Sequence, residues 1–400
     1  MRILFLTDNF FPEMNAPANR TYEHCREWVK KGQEVTVLTC VPNFPAGKVF
    51  PGYKNKLYQT EWIDGIRVIR IWSYITANEG TIKRILDYTS YAIMAIFASF
   101  FIKCDLIIGT SPQFFTAISS RMISLIKRKP WIMEVRDIWP ESIMAVGAMK
   151  KNFGIRMLEK IEISLYKNAS KIIVVTDAFK QNIIDKGIEP NKIFIIKNGV
   201  NVLQFKPLEK NPTIIKHLNL VDKIVIGYFG THGMAHKLDF ILNCTPLVEN
   251  NNVHFLFIGD GAERDNLVKQ VGDLKLKNVT MLKSVPKEEI QNYISIIDIA
   301  LVNLKRSDTF KSVIPSKIFE NAAMHKPILL GVDGESRELI EKYKAGIYFQ
   351  PEDQPDFLLK LNQIIKLDSE NAFEVGCDNL CKDFDRVNLA NKMLNIIINN

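Results

Sequence analysis

Cysteine is scarce in this chain. Its six copies, Cys25, Cys40, Cys104, Cys244, Cys377 and Cys381, are scattered and show no metal-ligand spacing. That excludes a zinc module, and a reducing compartment is the expected home. Cys377 and Cys381 stand four apart on an expected helix, as small packing residues or surface thiols. An arginine-rich block and an interleaved aromatic-basic motif are also missing, so nucleic acid is not an expected partner. The opening run Met1-Arg2-Ile3-Leu4-Phe5-Leu6-Thr7-Asp8 lacks the long apolar core and cleavage site of a signal peptide and reads as a first strand. Residues 91–102 are an apolar run between Arg84 and Lys103, too short to span a bilayer, which leaves a buried helix or an interfacial one. No short repeat, low-complexity stretch or Ser-His-Asp order appears.

What is present points to a large globular chain. Four hundred residues suit about two to three domains with full cores. An apolar content of 47% with 24% charged residues excludes disorder. The net charge of +8 suits an anionic nucleotide, an anionic membrane face or nucleic acid, and does not choose between them. Strand-like runs fall at 3–7, 35–39, 66–71, 106–110, 131–135, 172–176 and 193–196, then at 224–229, 254–258, 279–282, 299–302, 328–330 and 347–349. Continuous apolar runs spaced by helices are the pattern of parallel sheets buried on both faces. An Asn-Gly turn and two prolines within 197–212 interrupt the series. The chain therefore reads as α/β, with two Rossmann-like doubly wound domains at 1–200 and 201–382 and a helix at 383–400 crossing back toward the first. Ligands of open sheets bind beyond the carboxyl ends of the strands, so a cleft between the two domains is the expected site.

Several constellations could carry chemistry there. Pro315-Ser316-Lys317-Ile318-Phe319-Glu320 opens a helix, with Ser316 as its expected cap. Its N–H groups and Lys317 would face an anion, and Glu320 could accept hydrogen bonds from sugar hydroxyls. Gly230-Thr231-His232-Gly233-Met234-Ala235-His236-Lys237 follows a strand, so its backbone can approach phosphate, with His236 and Lys237 as expected positive charges. A tight strand-to-helix turn is the plainer reading. Gly259 and Asp260 begin a similar turn that could wall a base pocket with Ser284-Val285-Pro286, or simply be a turn.

Glu134 to Ser142 holds Arg136, Asp137, Trp139 and Glu141 at a strand end, and reads as too polar for a core. A solvated salt bridge is the alternative. Asn15 and Ala16 lie in the segment before the first helix, either as a rigid connector or as an N–H-presenting turn. No Asp-x-Asp pair appears that would hold a divalent ion on a diphosphate, so metal independence is expected.

Taken together, Asn198-Gly199-Val200-Asn201, Ile258-Gly259-Asp260-Gly261 and Glu320-Asn321-Ala322-Ala323-Met324 with Lys326-Pro327 resemble the glycosyltransferases of family 4, which have the GT-B fold. The resemblance covers nearly the whole chain. It implies a retaining, metal-independent enzyme that holds a nucleotide-sugar in its second domain and an acceptor in its first. Glu320 resembles the glutamate that holds the donor ribose. Departures from the pattern are Ser312 in place of a glutamate near the donor sugar, Thr231 for the loop arginine, His236 at the lysine's place with Lys237 beside it, Arg136-Asp137 for His-Asp, and Asn15-Ala16 for paired glycines.

The runs Arg-Asp-Ile-Trp-Pro-Glu-Ser, Gly-Thr-His-Gly-Met-Ala-His and Pro-Ser-Lys-Ile-Phe-Glu further resemble a subgroup of O-antigen, capsule and colanic-acid assembly that includes proteins assigned as N-acetyl-L-fucosaminyl transferases. That likeness implies a UDP-sugar donor, a polyprenyl-diphosphate-linked acceptor and a place at the cytoplasmic face of an anionic inner membrane. Arg136, Asp137, Lys317 and Glu320 would be the catalytic group. Gly230, Thr231, His232, Gly233, His236, Lys237, Gly259, Asp260, Val285 and Ser316 would complete the donor site, and Asn15, Ala16, Trp139 and Glu141 would lie on the acceptor side. A UDP-sugar 2-epimerase of the same fold and a non-catalytic nucleotide-sugar-binding subunit are the competing expectations.

Overall fold

The computed structural model describes residues 1–13, 15–44, 47–76, 81–111, 114–141 and 153–398. Ser142, the last residue of the polar run at the strand end, lies outside them. The chain divides into two compact units, Met1–Asn198 with Arg386–Asn400, and Gly199–Asp385.

The first unit is built on one sheet of β1 (Arg2–Leu6), β2 (Glu34–Cys40), β3 (Tyr58–Ile63), β4 (Ile66–Ile71), β5 (Leu106–Thr110), β6 (Trp131–Val135), β7 (Lys171–Val174) and β8 (Ile193–Ile195). Its order is β3-β4-β2-β1-β5-β6-β7-β8, and every pairing is parallel except β3 with β4. Apolar residues of these strands feed a core cluster on each face, which is why they read as unbroken apolar runs.

β3 is absent from the expected strands. It is an edge strand whose residues alternate exposed and half-buried, so it has no apolar run to detect. The pairing of Ile63 with Ile66 leaves Asp64-Gly65 as a two-residue turn, both at positive φ, a hairpin signal that was present in the sequence.

The helix Ala16–Lys30 starts where Asn15 Oδ1 accepts the Ala18 N–H at 2.8 Å. Pro17 fits its first turn, and Gly32, at φ 79°, lies just past its end. The last helix, Arg386–Ile398, packs against it: Met393, Leu394 and Ile397 share a core cluster with Cys25 and Trp28. Trp28 Nε1 donates to the Ala390 carbonyl at 2.9 Å, and Arg386 pairs with Glu23 at 2.6 Å. All six cysteines are buried and free, so Cys377 and Cys381 are packing residues.

Residues 91–102 are half of each alternative. Tyr91, Ala92, Ala95, Ala98 and Ile102 are buried, while Ile93, Phe97, Phe100 and Phe101 are exposed.

The second unit has a wholly parallel sheet of β9 (Ile224–Phe229), β10 (Val253–Ile258), β11 (Val279–Leu282), β12 (Ile299–Asn303), β13 (Ile328–Gly331) and β14 (Gly346–Tyr348). The order β11-β10-β9-β12-β13-β14 reverses direction between β9 and β12. Open α/β sheets bind ligands at such a switch point, beyond the strand ends. Core clusters cover both faces of this sheet as well.

Candidate functional site

Two loops meet at the ends of β9 and β10. Gly230 N–H donates to the Ile258 carbonyl, His232 N–H to the Asp260 carbonyl, and Glu263 N–H to the His232 carbonyl, at 2.8–2.9 Å. The glycines permit this backbone-on-backbone contact. A Cβ on Gly259 would lie 1.8 Å from the Gly230 oxygen, and one on Gly261, at φ 152°, would lie 2.6 Å from the His232 oxygen. Gly233 begins the short turn Met234–His236, and Thr231 is exposed. The Ala235 carbonyl takes the Lys305 N–H at 2.8 Å, which ties this loop to the residues after β12.

Lys317 stands beside this loop. Its ammonium nitrogen is buried, has no hydrogen-bond partner among the described residues, and lies 3.8 Å from the centre of the Tyr228 ring. It comes within 3.1 Å of where a Gly230 Cβ would sit. Burial pushes its pKa down to about 7, and the carboxylate of Glu320, one turn along the helix, acts in the opposite direction. A buried cation without a hydrogen-bonded partner is costly, and an anionic ligand would relieve it.

The histidines differ from expectation. His232 is fully buried, and His236 is half-buried with its Nδ1 enclosed; none of these enclosed ring nitrogens has a partner among the described residues. Burial first, then the charges of Arg264 and Lys317, lower His232 to about 4. Burial and Lys317 lower His236 to about 3. Both are neutral at pH 7, so His236 brings no positive charge. Lys237 is occupied too, since its ammonium pairs with Asp239 at 2.7 Å.

Ser316 does not cap its helix. It has helical dihedrals and makes no capping bond, and the helix Lys317–Ala322 is only six residues long. The positive charge at this point therefore comes from Lys317 itself.

Asp260 is exposed and accepts its own neighbour's N–H, Val285 packs half-buried against the core, and Ser312 Oγ donates to the Thr309 carbonyl. Tyr228, which carries Lys317 on its ring and donates its hydroxyl to the Thr231 carbonyl, was missed. Its position inside a strand's apolar run hid it.

In the first unit, the polar strand end is partly interior. Glu134 is buried and paired with Arg20 at 2.9 Å, and Arg20 also donates to the carbonyls of Ile196 and Lys197. Glu134 is therefore a structural residue, against the expectation that the run is too polar for a core. Arg136 and Asp137 are half-buried and share Ser111 Oγ through their N–H groups, at 2.7 and 3.2 Å. Burial lowers Arg136 to about 10.

Trp139 stacks on Phe114 at 5.0 Å, and Glu141 pairs with Lys186 at 2.9 Å. Asn15 is occupied as the helix cap, and Ala16 is exposed. A second cluster escaped notice because only its first member follows a strand: Asp8 is buried, and burial with nearby Asp87 and Glu13 raises it to about 8.

Among the described residues, no group of three or more His, Cys, Asp or Glu side chains could hold a metal ion. Asp-x-Asp spacing does occur once, at Asp383-Phe384-Asp385, where Asp383 accepts the Tyr343 hydroxyl at 2.5 Å. No described helix is long and apolar enough to cross a membrane.

The model of Glycosyltransferase Family 4 matches residues 18–203, and that of Glycosyl transferases group 1 matches residues 209–374. WcaI of Escherichia coli (strain K12), whose name places it in colanic acid biosynthesis as a glycosyl transferase, is 22% identical over 410 residues, 99% of this chain and 100% of its own. TuaH of Bacillus subtilis (strain 168), named for teichuronic acid biosynthesis, is 23% identical over 64% of this chain and 63% of its own.

Among solved structures, Anabaena HepE in complex with UDP-glucose superposes with a TM-score of 0.73 at 15% identity over 99% of each chain. Sucrose-phosphate synthase from Thermosynechococcus elongatus gives 0.77 at 15% identity, over 99% of this chain and 98% of that one. The solved structures match the chain's fold along its length, and the two glycosyltransferase family models between them span residues 18–203 and 209–374, so the chain is a glycosyltransferase with the GT-B fold.

Proposed function

We propose that the protein is a retaining, metal-independent transferase that moves a sugar from a UDP-sugar to a polyprenyl-diphosphate-linked saccharide in bacterial surface polysaccharide assembly, of O-antigen or capsule type. The observation that carries this reading is the buried, unpartnered Lys317 ammonium beside Gly230. UDP and UDP-glucose occupy solved relatives in fold, and colanic and teichuronic acid appear in the names of relatives in sequence. An N-acetylated deoxy-amino sugar such as L-FucNAc is the donor sugar of this reading, on the strength of the three motif runs.

As the bond from the anomeric carbon to the diphosphate breaks, negative charge grows on the leaving oxygen. A cation held there in advance stabilises the transition state more than the ground state. Glu320 holds the donor ribose. Ser312 offers no carboxylate, so the acceptor hydroxyl attacks on the face that the leaving group vacates. Its oxygen bonds the anomeric carbon, and its proton passes to the departing phosphate. Asp137, with Arg136 beside it, orients that hydroxyl.

The acceptor's lipid places the enzyme at the inner face of the cell membrane. The helix Thr81–Ser99 and the turn after it expose Ile85, Leu86, Ile93, Phe97, Phe100 and Phe101, with Lys83, Arg84 and Lys103 also exposed, a surface suited to anionic lipid.

Calorimetry with UDP, GDP, ADP, dTDP and their sugars on the wild type and Glu320→Gln tests the donor. Saturable binding of UDP species, weakened in the variant, is expected; binding of no nucleotide would sink the reading. A binding subunit without chemistry is the second reading, favoured by Ser312 and Thr231. It predicts nucleotide binding with no sugar transferred to any lipid-linked acceptor.

A further inference from the structure

A nucleoside diphosphate brings at least two negative charges, and the loop expected to neutralise them does not. His232 and His236 are neutral, Lys237 is paired with Asp239, and Thr231 carries no charge. Lys305 holds its ammonium over the Phe310 ring. Lys317 alone leaves the ligand's charge half met.

One further cation lies at this point. Arg264 opens the ten-residue helix Arg264–Asp273, and its N–H donates to the Gly261 carbonyl at 3.1 Å. The residue before it, Glu263, donates its N–H to the His232 carbonyl. The Gly261 contact with His232 draws the two backbones together, so the chain enters the helix against the glycine-rich loop. Arg264 Nε is buried and has no hydrogen-bond partner among the described residues, as is true of Lys317 Nζ. The charges of Arg264 and Lys317 both act on His232.

We infer that Arg264 is a donor-binding residue, the second cation of the diphosphate site, reaching it from the neighbouring loop while Lys317 reaches it from the helix after β12. The inference rests on the donor-site reading above. Burial of Nε holds the guanidinium in place before the ligand arrives, and its planar fork can engage two phosphate oxygens in a fixed bidentate geometry that an ammonium lacks.

The test is calorimetry of UDP, UMP and uridine on the wild type, Arg264→Gln, Arg264→Lys and the double variant Thr231→Arg/Arg264→Gln, each checked for an unchanged melting temperature. Arg264→Gln is expected to weaken UDP about ten- to a hundredfold, as for loss of a charged hydrogen bond, and to leave uridine unchanged. Arg264→Lys should recover part of the loss, and an arginine supplied at position 231 should recover most of it. UDP bound equally by the wild type and a folded Arg264→Gln would overturn this inference alone. A parallel loss of uridine would also overturn it, by making Arg264 a structural residue. Failure of the wild type to bind any nucleoside diphosphate would overturn the donor-site reading, and this one with it.

Discussion

Two sets of buried polar groups are handled in opposite ways, a set of ion pairs in the first unit and the nitrogens beside β9 in the second. In the first, Arg20 meets Glu134 and two carbonyls, Arg70 meets Glu61, and Lys186 meets Glu162 at 2.9 Å. In the second, the buried nitrogens of Lys317, His232 and His236 at the end of β9 have no partner among the described residues. Paired ions brace a structure, because removing one strands the other in a medium that solvates it poorly. Unpaired ones lower stability, and a protein keeps them where a ligand completes them. The contrast separates polar residues that hold the fold from those that, on the proposed reading, a substrate completes.

The largest expected effect breaks the bracing side. Glu134→Ala leaves Arg20 buried without its carboxylate and should destabilise the first unit by about 3–5 kcal/mol. Denaturant unfolding followed by a probe in that unit reads this, and a loss below about 1 kcal/mol would remove the contrast.

Lys317→Met sharpens the other side. Turnover should fall by about 10²–10³ while the second unit melts at the same temperature or higher, since an uncompensated buried charge is gone. A lower melting temperature would mark Lys317 as a brace.

The third prediction is smaller and concerns protons. The folded pKa of Lys317, about 7, lies below its ordinary value of 10.5. Between these values the unfolded chain holds the proton and the folded one does not, so this group makes stability rise with pH there. Ligand binding runs the other way, because a diphosphate favours the charged amine. UDP affinity should fall by up to about tenfold per pH unit above pH 7, with proton uptake visible when buffers of different ionisation heat are compared. A flat profile in wild type, matching Lys317→Met, would refute it.

Least affected is Tyr228. Tyr228→Phe keeps the ring under the ammonium and should change UDP affinity by less than threefold, whereas Tyr228→Leu should cost about 0.5–2 kcal/mol of donor binding. Equal effects of the two would show that the hydroxyl, not the ring face, matters.

Much of the architecture was legible because it rests on local signals. The runs at 66–71, 106–110, 131–135, 224–229 and 279–282 coincide with strands to the residue, since strands covered on both faces are largely apolar even where a paired Arg70 or Glu134 interrupts them. β3 escaped, since an edge strand needs no such run. Of the site, the glycines and Lys317 stood out by residue type and place. Their charge states did not, because a histidine's protonation depends on what surrounds it, and Lys237's partner is read from contacts.

The amino-acid order alone determined that two largely parallel sheets form and that glycine-rich turns end strands of the second, because period and turn chemistry act over a few residues. Only the tertiary structure decided that Glu134 is a brace, that the loop histidines are neutral, and that the charges of Lys317 and Arg264 both bear on His232. Desolvation and Coulomb energy depend on neighbours brought together from distant parts of the chain.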